Sequence, residues 1–357
     1  MAVGGFPALD RVTTLSGELR ARLNEQMRQA AGGQRADSYA GLGTDARRAV
    51  DLRAEMSRRE VLTRTIATAE SRASATQVTL KRLTAIATDF AGSANGLLGA
   101  NAADATLLAQ SARTALQDVA GLLNDRYGGE ALFGGADLTQ SPVPGEITKS
   151  GLFTQIRATL QGMTAGSGAS TRTALRELGA SDDPAVTPFS AYATAAAQGE
   201  IADPRRSVPV EAGVTVEIGL YANRNAAAYP STAADSTGSW SRDLLYGLSV
   251  LANLGPDQAA LGEDFTQVVQ GAIGALRAGL SGVTEEAGAL GTTERRLADA
   301  RIHHEEVGAQ VEQQVSALEE VDLAETITRL QGTQAQLEAS YRVLAMLGNL
   351  SLTKFLS

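Results

Sequence analysis

The residues best suited to hold a metal ion or to move protons are His303 and His304, followed directly by Glu305 and Glu306. A zinc-binding helix sets its histidines four residues apart on one face. Adjacent histidines are turned about 100° from each other around a helix, so the residue types fit and the spacing does not. The better reading is an ordinary helical pair, with His304 on an apolar seam. Gly128-Gly129 and Gly134-Gly135 flank Glu130-Ala131-Leu132-Phe133. No Lys-Ser or Lys-Thr follows, so they do not form a phosphate loop. Gly166-Ser167-Gly168 does not match the Gly-x-Ser-x-Gly of a nucleophile elbow. Cysteine is absent, which excludes disulfides, thiol catalysis and thiolate-bound zinc. Carboxylate pairs occur, but none sits in a recognisable apolar pocket. Trp240 and Tyr246 read as core residues rather than a ligand platform. The expectation is a protein that is not an enzyme and holds neither cofactor nor metal.

The bulk properties narrow the partners. A formal charge of −9 over 357 residues argues against a nucleic-acid binder held by phosphates. No stretch of 18 uninterrupted apolar residues occurs, so no membrane insertion is expected. The start, MAVGGFPALDRVTTLSGELRARL, has no basic segment followed by an apolar one, so no cleavable secretory signal is read there. A cytoplasmic protein and one exported through an uncleaved N-terminus both remain open. Length gives a prior of two or three domains.

Helical periodicity dominates both ends. Val12, Leu15, Leu19, Leu23 and Met27 recur at three- and four-residue steps and predict a helix over roughly 8–31, ended by Gly32-Gly33. A polar connection follows, with Thr44 as the expected N-cap of the next helix. That helix carries the clearest seam: Leu62, Ile66, Ala69, Ala73, Thr76, Leu80, Leu83, Ala87, Phe90, Ala94 and Leu97. Its many small residues let a partner helix approach closely. A third helix is expected over about 104–127, with Leu108, Ala112, Ala115, Val119 and Leu122 inward and Asp104 or Asn101 capping it. A short connection around Gly99 and Asn101 predicts an antiparallel hairpin of the two.

The C-terminal seam runs through Leu290, Thr293, Leu297, Ala300, His304, Val307, Val311, Gln314, Leu318 and Val321. A second register then holds Leu323, Ile327, Leu330, Gln334, Leu337, Tyr341, Leu344 and Gly348. The slip of two residues is neither a stutter nor a stammer, and it predicts a break near Asp322. Asp322 and Glu325 have capping-box spacing, which would restart the helix. Residues 284–330 hold eleven acidic and four basic residues. Most of the net charge therefore lies here, as a solvated face or as one that meets basic neighbours in an assembly.

Between the helical ends, about 138–285, lie eight of the nine prolines. Val208, Val210, Val214, Val216, Ile218 and Leu220 alternate around Ala212-Gly213 and predict paired strands. Helical stretches follow at Leu244–Leu254 and Phe265–Leu280. The expected fold class is mainly α, a long coiled-coil-like helical bundle formed by the N- and C-terminal regions with an α+β insert between them. Residues 1–43 and 322–357 would form a terminal assembly domain, 44–137 and 285–321 a helical rod, and 138–284 the variable insert.

Several segments resemble the bacterial flagellin family, including its members at the hook–filament junction. Arg126-Tyr127-Gly128-Gly129-Glu130-Ala131-Leu132-Phe133-Gly134-Gly135 is similar to the family segment ending in Leu-Phe-Gly-Gly or Leu-Phe-Ser-Gly. Val321-Asp322-Leu323-Ala324-Glu325 resembles its "(A/V)D(M/L)AE" segment. Gln334, Leu337, Ala339, Ser340, Tyr341 and Leu350-Ser351-Leu352 resemble its final helix, and Asp37–Gly43 and Asp51-Leu52-Arg53 its N-terminal loop and the helix after it. Filament flagellins carry Ser-Gly-Leu-Arg-Ile-Asn-x-Ala-x-Asp-Asp-Ala-Ala-Gly in that loop. Gly33–Ser38 departs from it, and Leu337–Tyr341 fits the junction type better. The resemblance covers about 1–138 and 285–357.

The resemblance implies a structural flagellar subunit that joins hook to filament, with the filament subunit as alternative. It also implies type III export in a loosely folded state. The implied partners are copies of the same chain, another hook-associated protein, flagellin subunits and an export chaperone. Lack of cysteine suits a narrow channel opening to an oxidising exterior. Physical reasoning adds the interface. Neither terminal helix can bury its stripe alone, so Val12, Leu15, Leu19, Leu23, Leu323, Ile327, Leu330, Leu337, Tyr341 and Leu344 are expected to pack with each other and with neighbouring subunits. Rivals of other classes are a cytoplasmic coiled-coil signalling protein and a secreted effector or adhesin acting through the insert.

Overall fold

A computed structural model describes residues 7–98, 102–201 and 205–355, with side chains given for 11–98, 103–201 and 205–346. The fold is mainly α, with long helices and two small two-stranded sheets. It forms two compact units, one from residues 62–302 and one from the chain ends, up to 61 and from 303 onward.

Helix α1 spans Pro7–Gly32. It stops because Gly33 turns left-handed, at φ 70°, with its N–H still bonded to the Gln29 carbonyl at 2.8 Å. A 3-10 turn over Tyr39–Asp45 leads into α2, Ala46–Asn95. Thr44 therefore lies inside that turn and is not the cap. The Ala46 N–H is already taken by the Gly43 carbonyl, which leaves that donor no need of a side chain. Helix α3 spans Ala102–Leu123, with Asp104 in its first turn. The Gly99–Asn101 connection, and Asn101 as a cap, lie outside the described residues.

Along α2 the expected seam is inward within the 62–302 unit: Ile66, Ala69, Ala73, Thr76, Leu80, Leu83, Ala87 and Ala94 are all buried. Thr79 on α2 donates to the Asp125 carboxylate just past α3 at 3.0 Å, so α3 runs back along α2 as a hairpin. Helix α3 ends four residues before the expected 127. Arg126–Tyr127 (β1) instead pairs antiparallel with Glu130–Ala131 (β2). Gly128 and Gly129 make the two-residue turn with φ of 60° and 86°, a conformation L side chains resist. Leu132 and Phe133 after it are buried, and the Phe133 ring meets Trp240 edge-on at 6.2 Å. A Cβ on Gly134 would stand 2.1 Å from the Asp137 carbonyl oxygen. The double-glycine segment is thus a turn and a core plug.

Three short helices follow that the sequence reading did not anticipate: α4 (Gly151–Gln161), α5 (Gly168–Ala180) and α6 (Ala191–Ala197). Ser150 and Ser190 cap α4 and α6, accepting from Phe153 and Ala193 N–H at 3.2 Å. Strands β3 (Ser207–Glu211) and β4 (Val214–Glu217) pair antiparallel around Gly213. Val208, Val210 and Val216 are buried, while Val214 is exposed. Helix α7, Trp240–Ala252, is buried on every side. Trp240 and Tyr246 lie within the core cluster. A single turn, α8, spans Pro256–Ala259.

Helix α9 runs unbroken from Glu263 to Glu319, 57 residues, so the expected helix at 265–280 is its first part and not a separate element. The glycines there are contact points and do not break the helix. A Cβ on Gly282 would come within 2.6 Å of Trp240 Cβ, so only glycine lets α7 approach this closely. Gly166 and Gly168 donate their N–H groups to Asp264 at 2.7 Å each. That segment holds a helix-end carboxylate. Helix α10 spans Leu323–Phe355.

Candidate assembly interface

Within the unit made by the chain ends, α1 packs antiparallel along α10. Ser16 meets Ser340 at 2.7 Å, and Arg20 bonds the Tyr341 hydroxyl while its guanidinium lies 5.1 Å from the ring centre. On α10 the row facing α1 is Thr326, Leu330, Thr333, Leu337, Ser340 and Leu344, all buried or half-buried. On α1 it is Val12, Ser16, Leu19, Leu23 and Gln26. Both rows alternate four- and three-residue steps, the spacing of a two-helix seam.

The structure brings six of the ten expected interface residues onto that seam: Val12, Leu19, Leu23, Leu330, Leu337 and Leu344. Leu15, Leu323, Ile327 and Tyr341 fall outside it and are 55%, 49%, 46% and 36% exposed. The seam turns instead toward small hydroxyl residues, spaced seven apart at 326, 333 and 340. Their small bulk allows close approach, and the Thr333 hydroxyl is satisfied along the helix by the Arg329 carbonyl at 2.9 Å, the Ser340 hydroxyl across the seam by Ser16. A search for the largest apolar residues passes over such a row. The heptad spacing of Thr, Thr and Ser was the signal available.

Both chain breaks meet side by side. Helix α9 stops at Glu319 and α10 starts at Leu323. The Asp322 carboxylate accepts from the N–H groups of Ala324 and Glu325, at 2.9 and 3.1 Å. Glu325 does not complete a reciprocal box. Its carboxylate pairs with Arg329 one turn on. Opposite, Gln34 pairs with Glu320 as a strand would: Arg35 N–H donates to the Glu319 carbonyl at 2.7 Å and Val321 N–H to the Gly33 carbonyl at 3.0 Å. Charges brace the joint. Arg53 on α2 forks onto Glu319, with a closest distance of 2.5 Å, which holds its guanidinium charged above the ordinary range. Arg35 reaches the Leu318 carbonyl at 3.1 Å, and Arg28 pairs with Asp37.

His304 is buried, with Nδ1 3.3 Å from the Arg59 guanidinium. An arginine can only donate, so Nδ1 accepts and the ring proton is on Nε2. His303 is exposed. No cluster of three metal-type ligands occurs among the described residues. Among those residues no helix is long and apolar enough to cross a membrane.

Residues 273–356 match the family model of the bacterial flagellin C-terminal helical region. The match begins inside α9, crosses the break and takes in α10. It supports the bacterial flagellin family, whose members are structural parts of the flagellum. No curated protein matches the chain.

Proposed function

We propose that the chain is a structural subunit of the bacterial flagellum that polymerises through its terminal helices, and that within this class it joins hook to filament. One observation carries the reading. The region matching the flagellin C-terminal model ends in α10, whose seam closes on α1 while Leu15, Met27, Leu323, Ile327 and Met346 stay exposed on the same helix pair. A pair that leaves large apolar side chains in water on both members has surface for neighbouring copies to cover. The junction role draws on Leu337–Tyr341 and on the departure at Gly33–Ser38 from the filament pattern. In this reading residues 1–43 and 322–357 are the assembly domain, and the chain leaves the cell through the type III channel. It meets copies of itself, another hook-associated protein and flagellin, and a chaperone holds it before export.

Immunogold labelling of purified flagella with antibody to this chain tests the proposal. Gold at the boundary of hook and filament is the expected result. Gold along the filament would make the chain a filament subunit. Its absence from sheared flagella would return it to the signalling or effector class.

A further inference from the structure

The first four turns of α2 carry one outward row: Arg47, Val50, Ala54, Arg58 and Val61, all exposed. One exposed β-branched valine between two arginines, and a second just beyond them, are unusual on a helix facing only water. On α9 the outward row of the same unit is Glu305, Glu306, Ala309, Glu312 and Gln313, also exposed. These two helix segments face each other through their opposite sides. Ala49 is buried on α2, and His304, Val311 and Val315 are buried on α9. Arg59 contacts His304, and Arg53 contacts Glu319. The two outward rows therefore point away from one another, and one molecule cannot join its own.

We propose that the Arg47–Val61 row of one copy docks on the Glu305–Gln313 row of a second copy, giving a head-to-tail contact between copies. The proposal rests on the reading of the chain as a polymerising subunit. Three features favour a second copy as occupant. The charges are opposite. The acidic row, about 12 Å at 1.5 Å per residue, fits within the basic one, about 21 Å. Ala54 and Ala309 at their centres let the backbones approach. Two different patches that fit each other on successive copies generate a ring or an open helix, the geometry a tubular polymer needs. The contact is separate from the α1–α10 pair. Among the described residues Arg58 makes an exposed pair with Glu55, at 3.0 Å, which holds it weakly.

The chain has no cysteine, so single cysteines report the contact cleanly. Purified full-length Ala54→Cys and Ala309→Cys chains are mixed and oxidised. The expected product is the mixed disulfide dimer, in roughly tenfold excess over either homodimer, lost at high salt. Adding Arg47→Glu and Arg58→Glu to the first chain should abolish that excess. Adding Glu306→Arg and Glu312→Arg to the second as well should restore it. Statistical mixing of the three dimers would overturn the proposal, as would a yield indifferent to the reversals. Circular dichroism confirms that each variant is folded. Cross-linking as described, with gold found away from flagella, would keep this contact and remove the flagellar reading. Gold on flagella with statistical mixing would do the reverse.

Discussion

Asp243 lies inside α7 with no exposed surface, and its carboxylate accepts from the Ser236 hydroxyl, the Thr237 N–H and the Thr237 hydroxyl at 2.5, 2.6 and 2.7 Å. Burial penalises the charge more than these donors favour it, and the pKa rises from 3.8 to about 6. A carboxyl whose folded pKa is raised binds its proton more tightly in the folded state. Its contribution is therefore fully present below pH 4 and is lost as pH rises through 6. Asp243→Asn removes that dependence. Chemical denaturation between pH 4 and pH 7 should show the variant gaining on the parent by about 2 kcal/mol as pH rises, whatever its offset at pH 4. A constant difference across that range would refute the assignment. Little of this was legible in the sequence. An Asp in an apolar helical stretch reads as the polar face of an amphipathic helix, and only tertiary packing buries α7 all round. Glu286 was hidden in the same way: it reads as one more acid of a charged helix, yet it is buried and accepts from the N–H groups of Ala226, Ala227 and Ala228. The placement of the histidine pair was legible: His304 was read onto the apolar seam and is buried, while His303 is exposed.

At the level of elements, legibility followed the strength of the period. The α2 seam was readable because its partner contacts repeat at every turn, and each residue read as inward between 66 and 97 is buried or half-buried. The strand pair was readable from Val208–Leu220 because alternation around a glycine has one simple solution. Helices α5 and α6 were missed because each is short and rich in Gly, Ala and Thr, so a cap counts for more than a stripe; α4 does carry a stripe, Leu152, Phe153, Ile156 and Leu160, but only over about three turns. Helix α10 was legible as a helix and only partly as a surface. Size picked Leu323, Ile327 and Tyr341, whereas close packing on α1 picked Thr326, Thr333 and Ser340. The residues shared by both rows make the sharpest test. Leu337 is 8% exposed and Leu344 half-buried. Leu337→Asp with Leu344→Asp puts two carboxylates into the α1–α10 seam, at a cost of several kcal/mol if they stay ionised. The expected outcome is a 62–302 unit that still melts cooperatively, with loss of α1–α10 helicity by circular dichroism and no polymer. Polymer formation equal to that of the parent would remove the terminal pair from the assembly surface.

At the scale of the whole molecule, stability should be uneven. The 62–302 unit owns the large apolar cluster that joins α2, α3, α7 and the first part of α9. The α1–α10 pair has a seam whose α10 row is half hydroxyls, and it exposes apolar side chains on both helices. It is joined to the rest of its unit through the two backbone hydrogen bonds at Arg35 and Val321 and the ion pairs around them. Exposed ion pairs contribute little, and a two-bond bridge opens at small cost. Isolated helices of this kind are marginal in water, so once the bridge opens the pair has little to hold it. Limited proteolysis of the purified monomer should therefore cut first near residue 40 and near residue 320, leaving a fragment of about 46–319 that resists further digestion. Mass spectrometry of a time course gives the cut sites directly. In assembled particles neighbouring copies would cover the exposed stripes, and the same two cuts should slow by an order of magnitude or more, because a bound partner adds its own free energy to that of opening. Equal resistance of both ends in the monomer and the particle would mean that the terminal pair is already complete in one molecule. The ends would then owe nothing to assembly, and the self-contained signalling or effector readings would be the stronger ones.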